Sequence, residues 1–248
     1  MHPRLSVVTV TYNAREGFQK TLASVNSQTA RSQLEYVVID GASTDGTLDA
    51  IRGAAAHGEV DVWLSEKDNG IYDAMNKAVT KARGEYVLFM NAADTFVNAQ
   101  TVERLVLWME TAPGFLWGDC LVERKGQLLL DPAKRMLRFL YRQMTVSHQS
   151  LAVRTDLLRT HPFDLQFRVA ADYAVLCALV SEKEKGVYCS FPIAATQDEG
   201  FSSRNFFQGL SEKRELSHRY FPAERWRADP YFLLLWFYMT IKLFFLRR

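Results

Sequence analysis

The chain has 248 residues, 48% of them apolar and 23% charged, with a formal net charge of +2, so it holds one large domain or one domain with a tail. That charge balance leaves no basic footprint for nucleic acid. Three widely spaced cysteines, Cys120, Cys177 and Cys189, form no disulfide framework and point to a reducing compartment, and no Cys-x-x-Cys or paired-histidine spacing suggests zinc.

The chain reaches a strand within five residues, without a signal-peptide pattern. Leu5 to Thr11 is β-branched and continuous, as in a parallel strand buried on both faces. Phe18, Leu22 and Val25 follow at helical spacing. Tyr36 to Ile39 predicts a second strand that stops on Asp40-Gly41. Thr47 to Ala56 predicts a helix, Val60 to Leu64 a third strand, and Asp68-Asn69-Gly70 a turn. Met75, Ala78, Val79 and Ala82 mark the buried face of another helix. Tyr86 to Met90 is an apolar run too short and too aromatic for a helix, and it ends abruptly in Asn91 and Asp94. This alternation predicts a parallel sheet with right-handed crossovers. Farther on, helices are expected over Val102 to Met109, Asp172 to Lys183 and Ser202 to Tyr220. Strands are expected over Phe115 to Glu123, Leu128 to Leu130 and Ser150 to Val153, and a tail begins at Pro230.

Parallel strands place Asn13, Asp40 and Asp94 on one edge of the sheet, where open α/β sheets bind ligands, and Asp68 joins them from a loop. Clustered carboxylates repel one another unless a cation or hydrogen-bond donors sit among them. A divalent ion bridging a diphosphate meets that need. There is no Gly-x-Gly-x-x-Gly after the first strand and no Gly-Lys-Ser/Thr, which excludes dinucleotide and P-loop readings. Taken singly, Asp40 and Asp45 also suit turns, Asp172 a helix N-cap, and His148 a core position.

Four segments in order carry a family likeness: Val7 to Asn13, Val37 to Thr47, Ser65 to Lys77 and Phe89 to Asp94. They resemble the family 2 glycosyltransferases of GT-A fold, in particular short bacterial enzymes of colanic-acid and other exopolysaccharide clusters. The likeness continues through His148-Gln149, Ala171-Asp172-Tyr173 and Gly200-Phe201-Ser202. It implies an α/β fold with a mostly parallel central sheet. Residues 1–119 would form the nucleotide-sugar half, 120–228 the acceptor and catalytic-base half, and 229–248 an apolar C-terminal helix. By position, Thr11, Tyr12, Asn13, Asp40, Asp45, Asp68 and Asn91 would bind the donor nucleotide. Asp94 would hold Mg²⁺ or Mn²⁺, Asp172 would be the general base, and His148, Gly200 and Ser202 would contact donor or acceptor. The family's Asp-x-Asp motif is incomplete here, because Ala93 stands beside Asp94.

The implied reaction is inverting transfer of one sugar from a GDP- or UDP-sugar to a hydroxyl. The implied acceptor is a glycan on a polyprenyl diphosphate, at the cytoplasmic face of the inner membrane. Tyr231 to Leu246 is almost wholly apolar with seven aromatics, and its sixteen residues span about 24 Å, short of a bilayer core of about 30 Å. Tyr231, Tyr238 and Lys242 trace a narrow polar stripe. An in-plane helix at the membrane surface fits this pattern, and docking on the domain or in a homodimer is the alternative. Arg225-Trp226 stands where processive relatives carry Gln-x-x-Arg-Trp, but Pro222 replaces the Gln, so one sugar per encounter is expected. Two rival readings are a nucleotidyltransferase of sugar-nucleotide synthesis and a non-catalytic sugar- or lipid-binding module.

Overall fold

The computed structural model describes residues 2–134, 136–197 and 204–246. Its nine-stranded sheet begins with β1 (Leu5–Thr11), β2 (Leu34–Asp40), β3 (Val62–Ser65) and β4 (Tyr86–Phe89), all parallel and in the spatial order β3-β2-β1-β4. The strand order therefore reverses beside β1, which makes the carboxyl ends of β1 and β4 the switch point where such sheets bind ligands.

The apolar runs of β1 and β2 serve both faces of the sheet, as strands buried on both sides require. Val8, Val10, Val37 and Ile39 face one core with α3 (Ile71–Lys81). Leu5, Val7, Tyr36 and Val38 face the other with α1 (Arg15–Asn26), α2 (Thr47–Ala56) and α4 (Thr101–Met109). Gly84 fits where β1 passes closest, since a Cβ there would lie 2.4 Å from the Ser6 nitrogen.

The second half continues the sheet mostly antiparallel. β8 (Leu151–Arg154) pairs with β4 and with β6 (Phe115–Arg124), whose hairpin partner is β7 (Gln127–Asp131). The twelve-residue β9 (Gly186–Gln197) runs parallel to β6 and pairs with the two-residue β5 (Thr95–Phe96). β9 is not expected from the sequence. Pro192 and a left-handed Ser190 (φ 50°) break its pattern, and both coincide with a bulge in the pairing with β6.

Short helices α5 (Met136–Phe139) and α6 (Thr155–Thr160) precede α7 (Ala171–Ser181), which packs with α3 on the first core. Then come α8 (Phe206–Tyr220) and α9 (Arg225–Leu246). The third strand starts two residues later than expected, at Val62. The expected start of α8 at Ser202 lies outside the described residues. The tail does not begin at Pro230: α9 starts at Arg225, runs through residues 228 and 229, and carries Pro230 in its first turns. Ala228 and Phe232 of α9 are buried against Tyr141 and Leu210.

Candidate active site at the strand tips

Each strand tip is shaped by its own short-range hydrogen bonds. After β1, Asn13 takes a left-handed conformation (φ 48°), which an asparagine tolerates better than most residues. Its Oδ1 accepts from the Thr44 amide at 2.8 Å, and its own amide donates to Ser43 Oγ at 2.8 Å. The loop after β2 is thereby tied to the loop after β1. Asp40 is fully buried at the end of β2, where it accepts from the Ser43 amide and hydroxyl and from Ser65 Oγ at 2.7 Å. Asp45 is exposed. It accepts from the hydroxyl and amide of Thr47, and those hydrogen bonds, the hydroxyl's foremost, hold its carboxyl below the usual range.

Gly41 marks a close approach. A Cβ there would lie 2.7 Å from Asp68 Oδ2 and 3.3 Å from the Tyr12 ring. Asp68 and the exposed Tyr12 thus flank the turn that follows Asp40, and Asp68 Oδ1 accepts from the Gly70 amide at 3.0 Å.

Beyond β4, residues 91–94 form a tight turn closed by the Asp94 amide on the Asn91 carbonyl at 3.0 Å. Its third residue, Ala93, sits at φ 81°, where turns of this kind prefer glycine. The Ala93 amide donates to the Gly17 carbonyl at 2.9 Å, and Thr21 Oγ1 donates to the Asp94 carbonyl at 2.7 Å. α1 therefore clamps the turn from outside. The Asp94 carboxylate points inward, is buried, and accepts from Gln149 Nε2 at 2.6 Å. Burial pushes its carboxyl up to about 6, against the lowering effects of the Gln149 hydrogen bond and the charge of Lys20.

Gln149 and His148 lie in the short helical turn leading into β8, and they bridge the two halves of the molecule. His148 Nε2 lies 2.8 Å from Asn91 Nδ2, so the histidine accepts there and its proton resides on Nδ1. Nδ1 faces Asp172 Oδ2 at 3.7 Å. Burial lowers the histidine's pKa, in keeping with a neutral ring. Asp172 is the second residue of α7. Its Oδ1 accepts from the Tyr173 amide at 2.8 Å and from the Tyr72 hydroxyl at 3.0 Å. Tyr72 also donates to the Val169 carbonyl at 2.9 Å, which fixes the approach to α7. Burial, reinforced by Asp172, raises the phenol's pKa, so it stays a donor.

Two buried oxygens at the switch point, Thr11 Oγ1 and Asn91 Oδ1, have no hydrogen-bond partner among the described residues. Buried polar atoms left unsatisfied are costly, and a bound ligand is one way to satisfy them. Together with the Asp94 carboxylate they present hard oxygen donors of the kind Mg²⁺ and Mn²⁺ prefer. Among the described residues no three acidic, histidine or cysteine side chains converge as an all-protein metal cage. The residues present therefore fit an ion held by one carboxylate and completed by donor phosphates and water.

A family model described as Glycosyl transferase family 2 matches residues 6–172, through Asp172. The chain belongs to this family. It is 33% identical over 175 residues to a PGL/p-HBAD biosynthesis glycosyltransferase of Mycobacterium tuberculosis, covering 69% of this chain and 67% of the relative. Residues 1–349 of S. aureus TarS, solved with UDP-GlcNAc, superpose with TM-score 0.69 at 19% identity, covering 86% of this chain and 66% of that one. A mannosyltransferase of Pyrobaculum calidifontis, solved with GDP-Man and Mn²⁺, gives 0.64 at 21% identity, covering 86% and 64%. The GT-A fold expected from the sequence is the fold found.

Within this family 2 glycosyltransferase, Thr11, Asn91, Asp94, His148 and Asp172 come together around the switch point and the start of α7. Tyr12, Asn13, Asp40, Asp45 and Asp68 form the neighbouring rim over β1 and β2. Gly200 and Ser202 lie outside the described residues. Sequence reasoning missed the roles of Tyr72 and Gln149. Tyr72 sits within a quoted motif and Gln149 directly follows His148, but only tertiary contacts reveal what each one holds.

Proposed function

We propose that this family 2 glycosyltransferase transfers one sugar, with inversion, from a UDP- or GDP-sugar to a hydroxyl of a lipid-linked glycan. The assembly it serves would be a bacterial cell-surface polysaccharide. The carrying observation is that Asp94 and Asp172, on opposite halves of the chain, both lie against one two-residue segment: Gln149 donates to Asp94 at 2.6 Å and His148 Nδ1 faces Asp172 at 3.7 Å. That pairing gives one carboxylate to the leaving-group side and a second to the acceptor side.

Asp172 takes the proton of the acceptor hydroxyl as its oxygen bonds to the anomeric carbon. The bond from that carbon to the nucleoside diphosphate breaks on the opposite face, so the configuration inverts. Correct placement of such a base supplies about 10²–10⁴-fold in rate. Tyr72 and the Tyr173 amide hold Asp172 Oδ1, which leaves Oδ2 as the oxygen that accepts the proton. Tyr12, Asn13, Asp40, Asp45 and Asp68 receive the nucleotide, with the ordered loop 40–45 forming its floor. Asp94 and Asn91 would hold a Mg²⁺ or Mn²⁺ ion, which when bound supplies positive charge to the departing diphosphate.

The apolar residues Leu233, Leu234, Trp236, Phe237, Ile241 and Phe244 of α9 are exposed, which supports seating this helix at the membrane surface where a lipid-linked acceptor would reside. No helix among the described residues is long and apolar enough to cross a membrane.

The test is transfer from UDP- and GDP-sugars by wild type, Asp172→Asn and Asp94→Ala. Asp172→Asn should abolish transfer while leaving nucleotide affinity intact, and Asp94→Ala should lose the response to Mn²⁺. Full turnover in both variants removes the assignment. A wild type that binds nucleotide sugars and transfers none favours a binding module.

A further inference from the structure

A cavity of about 280 Å³ lies between α8, α9 and the segment after α5. It borders the approach to Asp172, because Val169 forms part of its wall. Among the described residues, two cations line it, Arg142 and Lys213, and no carboxylate does.

The Arg142 guanidinium lies over the rings of Phe139, Tyr231 and Tyr141 at 4.5, 4.8 and 5.8 Å from their centroids. These aromatic faces stabilise its charge without consuming its N–H groups. Its Nε is buried and has no hydrogen-bond partner among the described residues. Lys213 likewise makes no ion pair or hydrogen bond among them. The neighbouring Glu212 forms no ion pair with either cation and instead accepts from the amides of Arg168, Val169 and Ala170. A partly buried arginine whose fork meets no acceptor among the described residues is a ready receptor for a phosphate, whose oxygens take paired N–H bonds.

The rest of the wall is apolar. Phe206, Leu210, Phe232 and Leu235 line it, and the exposed apolar face of α9 continues from its edge. The volume is at the small end for ligand sites, enough for a headgroup but not for a whole lipid.

We propose that this cavity is the acceptor's anchor: Arg142 and Lys213 bind the phosphate or diphosphate of a lipid carrier whose hydrocarbon chain leaves along α9. This rests on the reading of the protein as a glycosyltransferase with a lipid-linked acceptor. It adds where the carrier's charge is held, beside the Val169 approach to Asp172.

The experiment measures binding of farnesyl diphosphate, of inorganic diphosphate, and of phosphatidylcholine vesicles with and without phosphatidylglycerol. The proteins are the full chain, Arg142→Gln, Lys213→Gln and the double variant. Farnesyl diphosphate should bind wild type more tightly than inorganic diphosphate does, and each substitution should weaken it about tenfold, the scale of one lost charge-assisted contact. UDP affinity should not change in any variant. Lys213→Gln tests the idea even if loss of Arg142 disturbs the aromatic cluster. The proposal is overturned if farnesyl diphosphate binds wild type and double variant alike, or if UDP displaces it. It is also overturned if only the phosphatidylglycerol vesicles depend on the two cations, since the headgroup recognised would then be the bilayer's. Failure of the glycosyltransferase reading itself would appear separately, as absent nucleotide-sugar binding by wild type.

Discussion

The Gln149 side-chain amide donates to the Asp94 carboxylate at 2.6 Å, in a site where both groups are buried. Groups that orient a metal ligand typically matter about 10–100-fold in metal affinity or activity. Gln149→Leu should therefore weaken Mn²⁺ binding by that order, measured by the Mn²⁺ electron paramagnetic resonance signal with nucleotide present. Unchanged Mn²⁺ affinity in this variant would show that Asp94 needs no such support.

Asp94 also gives a stability signature. Its carboxyl is raised from 3.8 to about 6 by burial. An unfolded chain therefore loses this proton at lower pH than the folded one, and the group's contribution to stability falls as pH rises from about 4 to about 6. Above that window the penalty is constant. Asp94→Asn removes the titrating group, so it should flatten this part of the pH–stability curve and gain on the order of 3 kcal/mol at pH 7. Urea unfolding at several pH values checks both. A variant with the wild-type slope between pH 4 and 6 would mean that another group titrates there.

Ala93 holds a left-handed conformation at φ 81°. A Cβ in that region costs about 1–2 kcal/mol, partly offset by the greater chain entropy of an unfolded glycine. Ala93→Gly should accordingly stabilise the protein by about 0.5–1 kcal/mol in denaturant unfolding, with an unchanged slope. Ala93→Asp places a second carboxylate beside Asp94 and should tighten Mn²⁺ binding. Loss of stability in Ala93→Gly would argue that the methyl group packs productively against Gly17.

Tyr72 donates one hydroxyl to both Asp172 and the Val169 carbonyl. Tyr72→Phe keeps the ring and its stack on Phe163 while removing one of the two donors to Asp172 Oδ1, the Tyr173 amide remaining. The expected result is a kcat reduced about tenfold or more with the donor KM unchanged, because only the proposed base loses a positioning contact. A raised donor KM with kcat intact would assign Tyr72 to nucleotide binding instead.

The parallel half of the fold was legible from sequence because each of its elements announces itself locally. β1 is a continuous β-branched run, β2 and β4 are built on apolar runs at Tyr36 to Ile39 and Tyr86 to Phe89, and α2 spans the ten residues its pattern predicts. The second half was less so. β9 contains Pro192 and Ser190 and follows no clean alternation, so its pairing with β6 depends on contacts distant in sequence. The amphipathic stripe read on the C-terminal helix also shifted, since the Tyr231 hydroxyl turns inward to Gln143 rather than outward to water.

At the site, the sequence by itself determined which acidic and amide groups end up on one sheet edge, because strand direction and period follow from residue type. It could not decide how those groups are partnered. Asp40 is spent on Ser43 and Ser65, while Asp94 is buried with one side-chain donor among the described residues. Asp172 reaches Tyr72 across the fold. Such pairings join residues far apart in the chain, and each distance is fixed by how helices pack on the sheet. That packing also left Arg142 surrounded by aromatic rings, without an anion among the described residues.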